Sequence, residues 1–167
     1  DHIMLVGQGA SSFALSNKIP QIPQEELGMS PELEIRYGNS TVEDIIKKNK
    51  KYGTVGCICL DNAGNIVIGT STGGSDLKLE GRVGDTALWG AGGYVTQKAA
   101  AVATGNGEDL IRTLFAHKAV NYTESTCNPK EAARLTLENM ESKTKSEGGI
   151  IIMDRDGFGF AFNTQKM

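Results

Sequence analysis

Short β-rich apolar runs alternate with polar turn segments in two places along the chain. Thr54-Val55-Gly56-Cys57-Ile58-Cys59-Leu60 and Asn65-Ile66-Val67-Ile68-Gly69-Thr70 are separated by Asp61-Asn62-Ala63-Gly64, and predict a β-hairpin. Near the end, Gly148-Gly149-Ile150-Ile151-Ile152-Met153 and Phe158-Gly159-Phe160-Ala161-Phe162 flank Asp154-Arg155-Asp156-Gly157, a second hairpin. Two helical patterns lie between them. Glu108 to Tyr122 places Leu110, Ile111, Leu114 and Phe115 on one face. Asn128-Pro129-Lys130-Glu131 supplies a cap and a first-turn proline for a helix to about Lys143. A glycine-rich stretch, Ser71 to Gly93, leads into further strands at its end. Upstream, Ile3-Met4-Leu5-Val6 reads as a buried strand closed by Gly7 and Gly9, and Ala10 to Asn17 as a helix. Pro20, Pro23 and Pro31 make Lys18 to Arg36 a surface connection, and Ser40-Thr41-Val42-Glu43 is a capping box for a helix to about Lys51. The order hairpin, helix, helix, hairpin predicts an α+β sandwich with sheets packed together and helices outside.

At 167 residues the chain has the length of a single domain. Its 17 Lys and Arg against 20 Asp and Glu give a net charge of −3, which argues against a nucleic-acid or anionic-membrane surface. The densest basic cluster, Lys47-Lys48-Asn49-Lys50-Lys51, reads as a solvated helix end. No run approaches the roughly 18 apolar residues of a membrane span. Three cysteines cannot form a disulfide framework, so a reducing, cytoplasmic setting is the expectation. The 21 glycines, nearly twice the usual share, point to tight turns and close backbone approaches.

Two histidines leave little room for imidazole-based nucleophilic catalysis: His2 lies near the start, and His117 reads as a helix-surface residue. Cys57 and Cys59 share one strand face and read as buried small hydrophobes. No further Cys or His stands at ligand spacing, so neither a metal nor a cofactor is implied. Gly53-Thr54 suggests a different chemistry. Scission of that bond would give Thr54 a free α-amine beside its hydroxyl, with an ordinary pKa of roughly 7.7–8.0 that suits a general base. Gly53 would tolerate the strain of attack on its own carbonyl. Without scission, Thr54 is an ordinary strand-edge residue. Thr72, in Thr70-Ser71-Thr72-Gly73-Gly74, closes the same hairpin and can lie near Thr54. Gly81-Arg82-Val83-Gly84-Asp85 holds a cation and an anion three residues apart: a surface ion pair, or a clamp for the carboxylate and ammonium of a free amino-acid moiety. Thr104-Gly105-Asn106-Gly107-Glu108 is a tight helix entry or a place for an oxyanion.

Taken in order, these segments, with Leu60-Asp61, Gly64-Asn65 and Gly90-Ala91-Gly92, resemble the N-terminal-nucleophile asparaginase family. That family includes isoaspartyl peptidase/plant-type L-asparaginase, glycosylasparaginase and taspase. Leu5-Val6-Gly7-Gln8-Gly9-Ala10 and Phe160-Ala161-Phe162-Asn163-Thr164 extend the resemblance over nearly the whole chain. It implies the Ntn-hydrolase αββα sandwich, here an incomplete portion, as one domain. Self-cleavage would give an α-subunit part (1–53) and a β-subunit (54–167), assembled as a homo-oligomer of cleaved units. It implies Thr54 as nucleophile with Thr72 assisting, and Arg82 and Asp85 as the grip on an aspartyl substrate. Thr104 and Gly105 would form the oxyanion hole, and Gly107 would be a backbone contact to substrate.

Gly53 before the nucleophile and the ending Phe162-Asn163-Thr164-Gln165-Lys166-Met167 resemble the isoaspartyl peptidase/asparaginase branch. Ala103-Thr104-Gly105-Asn106-Gly107 is closer to glycosylasparaginase, a lysosomal alternative that the sequons at Asn39 and Asn121 would permit. Family members also begin with a strand and a His-Gly-Gly-Ala-Gly-like segment upstream and continue beyond Met167. The expected activity is hydrolysis of the β-amide of L-asparagine or β-aspartyl peptides. The other alternative is an uncleaved, inactive relative that binds an amino acid.

Overall fold

The computed structural model describes residues 5–23, 53–75, 78–79 and 81–165. The chain divides into two compact units, Asp1–Asn49 and Lys50–Met167. In the first, α1 (Gly7–Ser16) is the described element, and none of its residues is buried. Leu5 and Val6 are exposed and precede the helix without strand structure, so the strand expected over Ile3–Val6 is not formed in its described half. Ile3 and Met4, the capping box at Ser40 and the basic cluster lie outside the described residues.

In the second unit β1 (Val55–Leu60) and β2 (Ile66–Ser71) form the expected antiparallel hairpin. Asp61 closes its turn by accepting from the Ala63 and Asn65 backbone amides. A 3₁₀ turn (Asp85–Ala87) leads to β3 (Gly93–Val95) and β4 (Ala99–Gly105). Three helices follow, α2 (Gly107–Thr113), α3 (Phe115–Thr126) and α4 (Pro129–Thr144). The second hairpin is β5 (Gly148–Asp154) with β6 (Phe158–Phe162). Strands β3-β4-β5-β6 make one antiparallel sheet in that order.

The period-two alternation of β4 explains the layers. Ala99, Ala101 and Ala103 pack with Leu110, Phe115, Ala119, Val120, Ala133, Met140, Ile150 and Ile152 in the core beneath α3 and α4. The alanines let the helices sit close to the sheet. Ala100 and Val102 face the other way and are also buried, because the β1–β2 hairpin lies on that side. Gly56 lies so close to Val102 that a Cβ there would be 3.0 Å from the valine Cβ. Gly93 meets Ile68 in the same way. Hairpin, sheet and helices thus give the order β, β, α of an αββα sandwich. The hairpin covers β3 and β4. Ile151, Phe158, Phe160 and Phe162 on the neighbouring strands stay exposed.

Two local expectations need correction. The helix expected over 108–122 is two helices, broken at Leu114, which adopts left-handed φ 49°. The first amides of α3 bond across to the 90–91 loop, Ala116 N to Ala91 O and His117 N to Gly90 O. Tertiary bonding thus restarts the helix where no glycine or proline signals a break. Leu114 is consequently exposed rather than on the buried face. Cys57 and Cys59 do share a face, with sulfurs 3.8 Å apart, but that face of the hairpin is exposed. The strands expected where the glycine-rich stretch ends are present as β3 and β4; the alanine-rich run of β4 has weak strand preference and is buried on both sides. Asn128 also caps α4 as expected, accepting from the Lys130 and Glu131 amides.

Candidate active site

The hairpin register brings the two threonines together. Val55 pairs with Ser71, so Thr54 and Thr72 flank the last rung, and their Oγ1 atoms are 3.0 Å apart. The Gly74 amide donates to Thr72 Oγ1 at 3.0 Å, and Lys78 Nζ donates to Gly73 O, fixing the loop behind it. Thr72 therefore presents a hydroxyl held from behind and directed at Thr54. A Cβ on Gly53 would meet nothing within 4 Å.

Arg82, Asp85 and Gly107 form a second group. A Cβ on Gly107 would come within 2.7 Å of Arg82 Nη2 and 2.9 Å of Asp85 Oδ1, and one on Gly84 within 2.6 Å of Arg82 Nη1. Glycine at both positions makes room for the guanidinium. Gly92 backs the 3₁₀ turn, where a Cβ would strike Asp85 O and Thr86 Cα at 2.7 Å. The turn is tied to β2 by Thr70 Oγ1 donating to Thr86 O. Asp85 is buried, and its carboxyl titrates above the ordinary aspartate range, first because burial disfavours the charge. Arg82 donates through Nε and Nη2 to both oxygens of Glu108, at 2.9 and 3.1 Å, which holds its guanidinium further toward the charged form. By sequence pattern Glu108 is only the start of a helix. Its link to Arg82, 26 residues away, has no local signal.

Thr104 and Gly105 end β4. Gly105 has φ +152°, and a Cβ would lie 2.7 Å from Glu147 O and 2.8 Å from Gly148 Cα. Asn163 holds that neighbouring loop, accepting from Gly148 N and donating to Ser146 O. Gly105→Ala should therefore destabilise the fold by about 2–4 kcal/mol, from strain plus overpacking. Chemical denaturation checks this, and a midpoint within error of wild type would contradict it.

Among the described residues, three buried side-chain polar atoms lack a hydrogen-bond partner: Asp85 Oδ2, Thr104 Oγ1 and Asn106 Oδ1. Such atoms cost stability and call for an explanation. All three lie in the Arg82–Asp85 turn or the Thr104–Gly107 loop. His117, half-buried, instead packs its ring edge-on against Tyr94 at 4.8 Å. Among the described residues no helix is long and apolar enough to cross a membrane.

The layered α+β fold is consistent with an αββα sandwich, and it carries a threonine pair at a hairpin mouth and a glycine-framed Arg/Asp turn. The family model described as Asparaginase matches residues 1–167. The chain is 38% identical over 160 residues to the human isoaspartyl peptidase/L-asparaginase, covering 93% of this chain and 52% of that protein. It is 36% identical over 160 residues to the zebrafish (Danio rerio) isoaspartyl peptidase/L-asparaginase, covering 93% of this chain and 51% of that protein. Against the Escherichia coli K12 isoaspartyl peptidase it is 35% identical over 178 residues, covering 99% and 55%. The chain belongs to the Ntn-hydrolase asparaginase/isoaspartyl peptidase family. It spans about half the length of these relatives.

Proposed function

We propose that the chain carries the catalytic residues of a threonine hydrolase that cleaves the β-amide of aspartyl compounds, L-asparagine or β-aspartyl peptides. The observation that carries this reading is the Arg82–Asp85 cluster against Gly107, in which the buried Asp85 Oδ2 has no partner. A free amino-acid end satisfies such a cluster: its ammonium pairs with Asp85 and its α-carboxylate with Arg82.

Thr54 Oγ1 first attacks the Gly53 carbonyl. The acyl group moves from nitrogen to oxygen, and water hydrolyses the resulting ester. Gly53 is left with a carboxylate and Thr54 with a free amine. In turnover that amine takes the Thr54 hydroxyl proton as the oxygen attacks the substrate β-carbonyl. Thr72, bonded to Thr54, steadies the oxygen. Thr104 and Gly105 donate to the oxyanion, Gly107 contacts the substrate through its backbone, and the amine returns the proton to the leaving nitrogen. Water then releases aspartate from the β-aspartyl ester. The relatives' names favour the isoaspartyl peptidase/asparaginase branch, and homo-oligomerisation of cleaved units belongs to the same reading.

The test is aspartate release from asparagine, a β-aspartyl dipeptide and N-acetylglucosaminyl-asparagine by the purified protein. Release from the first two supports the reading. Release from the glycosylated compound alone moves the protein to the glycosylasparaginase branch. Aspartate binding without any release identifies an inactive relative.

A further inference from the structure

Arg82 and Asp85 lie side by side against Gly107, yet they do not pair: among the described residues the ion-pair partner of Arg82 is Glu108. Opposite charges so close, with Asp85 buried, would ordinarily close on one another. A closed pair would be useless as a clamp, since each partner would already have satisfied the other. Glu108 prevents this by geometry. It takes the Nε/Nη2 edge of the guanidinium in a fork–fork contact, while Gly84 and Gly107 leave space for the plane. Among the described residues the side-chain hydrogen bonds of Arg82 leave from Nε and Nη2, and Asp85 Oδ2 stays unpartnered.

We propose that Glu108 is the positioning residue of the site, holding Arg82 off Asp85 so that one can take a carboxylate and the other an ammonium. This rests on the aspartyl-substrate reading above for its ligand, but not for the geometry it predicts in the empty protein. The charged groups bearing on Asp85 are Arg82 and Glu108. From α2, Asp109 is engaged by Ser146 and Arg112. The neighbouring strands β2 and β4 contain no charged residue.

The experiment compares wild type, Glu108→Gln and Glu108→Ala. In the ligand-free protein, the Asp85 carboxyl is titrated by carbon NMR and assigned with Asp85→Asn. Glutamine removes the charge but keeps an acceptor for Arg82. Alanine removes both and lets Arg82 swing onto Asp85. The Asp85 titration should therefore move down in Glu108→Gln and further down in Glu108→Ala. Equal movement in both, or none, overturns the proposal, whatever substrate the enzyme proves to use. In turnover, Glu108→Ala should raise KM about tenfold or more, with most of the loss in KM rather than kcat. Glu108→Gln should recover part of it. A loss confined to kcat also overturns the proposal. Absence of turnover in wild type with the NMR order intact would instead count against the aspartyl-hydrolase reading alone.

Discussion

Thr54→Ala abolishes both chain scission and aspartate release, the largest effect the account predicts. Alanine keeps the backbone and the β1–β2 register but removes the oxygen to which the proposal assigns both reactions. The loss in turnover should be on the order of 10⁶-fold, as for a deleted nucleophile that acts as a unit with its base. Thr54→Ser keeps the oxygen and should retain measurable scission. Thr72→Ala removes the bond to Thr54 Oγ1 at 3.0 Å and should leave the nucleophile in place but poorly held. Its loss should be smaller, about 10²-fold, in the range of a positioned proton-transfer group. Gel analysis of the two fragments and an aspartate assay on the same preparations check all three variants. Turnover surviving in Thr54→Ala would remove Thr54 from the mechanism.

Asp85→Asn should trade function for stability. Burial holds the Asp85 carboxyl above its ordinary titration range, so the folded protein keeps a proton that the unfolded chain has lost. Stability therefore falls as pH rises from the ordinary aspartate value through the raised one, and stays lowered at neutral pH. Asparagine removes that cost and should stabilise the ligand-free protein at pH 7 by about 1 kcal/mol, with little gain once Asp85 is protonated. The same change removes the group that the proposal assigns to the substrate ammonium. kcat/KM should fall about 10²–10³-fold, as when one member of a buried charge pair is lost. In wild type, kcat/KM should decline with acidification at a higher pH than an ordinary aspartate would produce. Thermal melts at two pH values and a pH–rate profile check both halves. A less stable Asp85→Asn, or an unchanged kcat/KM, would contradict the role assigned to this carboxylate.

The two hairpins were legible because their patterns are local: β-branched and aromatic runs flank Asp61-Asn62-Ala63-Gly64 and Asp154-Arg155-Asp156-Gly157. The α4 start was legible for the same reason, since Asn128 and Pro129 act within one turn. Strand β4 was legible only in part. Ala99 to Ala103 has weak strand preference by itself, and its bounds follow from its place between the hairpin and the helices. The break at Leu114 was hidden, because its cause is the 90–91 loop bonding the start of α3.

The site divides along the same line. The Thr54–Thr72 approach follows from one hairpin register, and the Arg82–Asp85 proximity from one short turn. The Arg82–Glu108 contact, the open sulfur face of Cys57 and Cys59, and the unpartnered Asn106 needed the three-dimensional arrangement. Exposure of the two cysteines depends on what lies over the outer side of the hairpin, which no pattern within β1 records.

Denatured intact mass of the purified protein, taken fresh and again after days at neutral pH, tests the central claim most directly. The account predicts that the 17.8 kDa chain is replaced by two fragments, residues 1–53 and 54–167, whose masses sum to that of the chain plus one water. The larger fragment should begin Thr54-Val55-Gly56. A single uncut species that nevertheless turns over β-aspartyl substrate would contradict the claim, because Thr54 would then have no free amine with which to act.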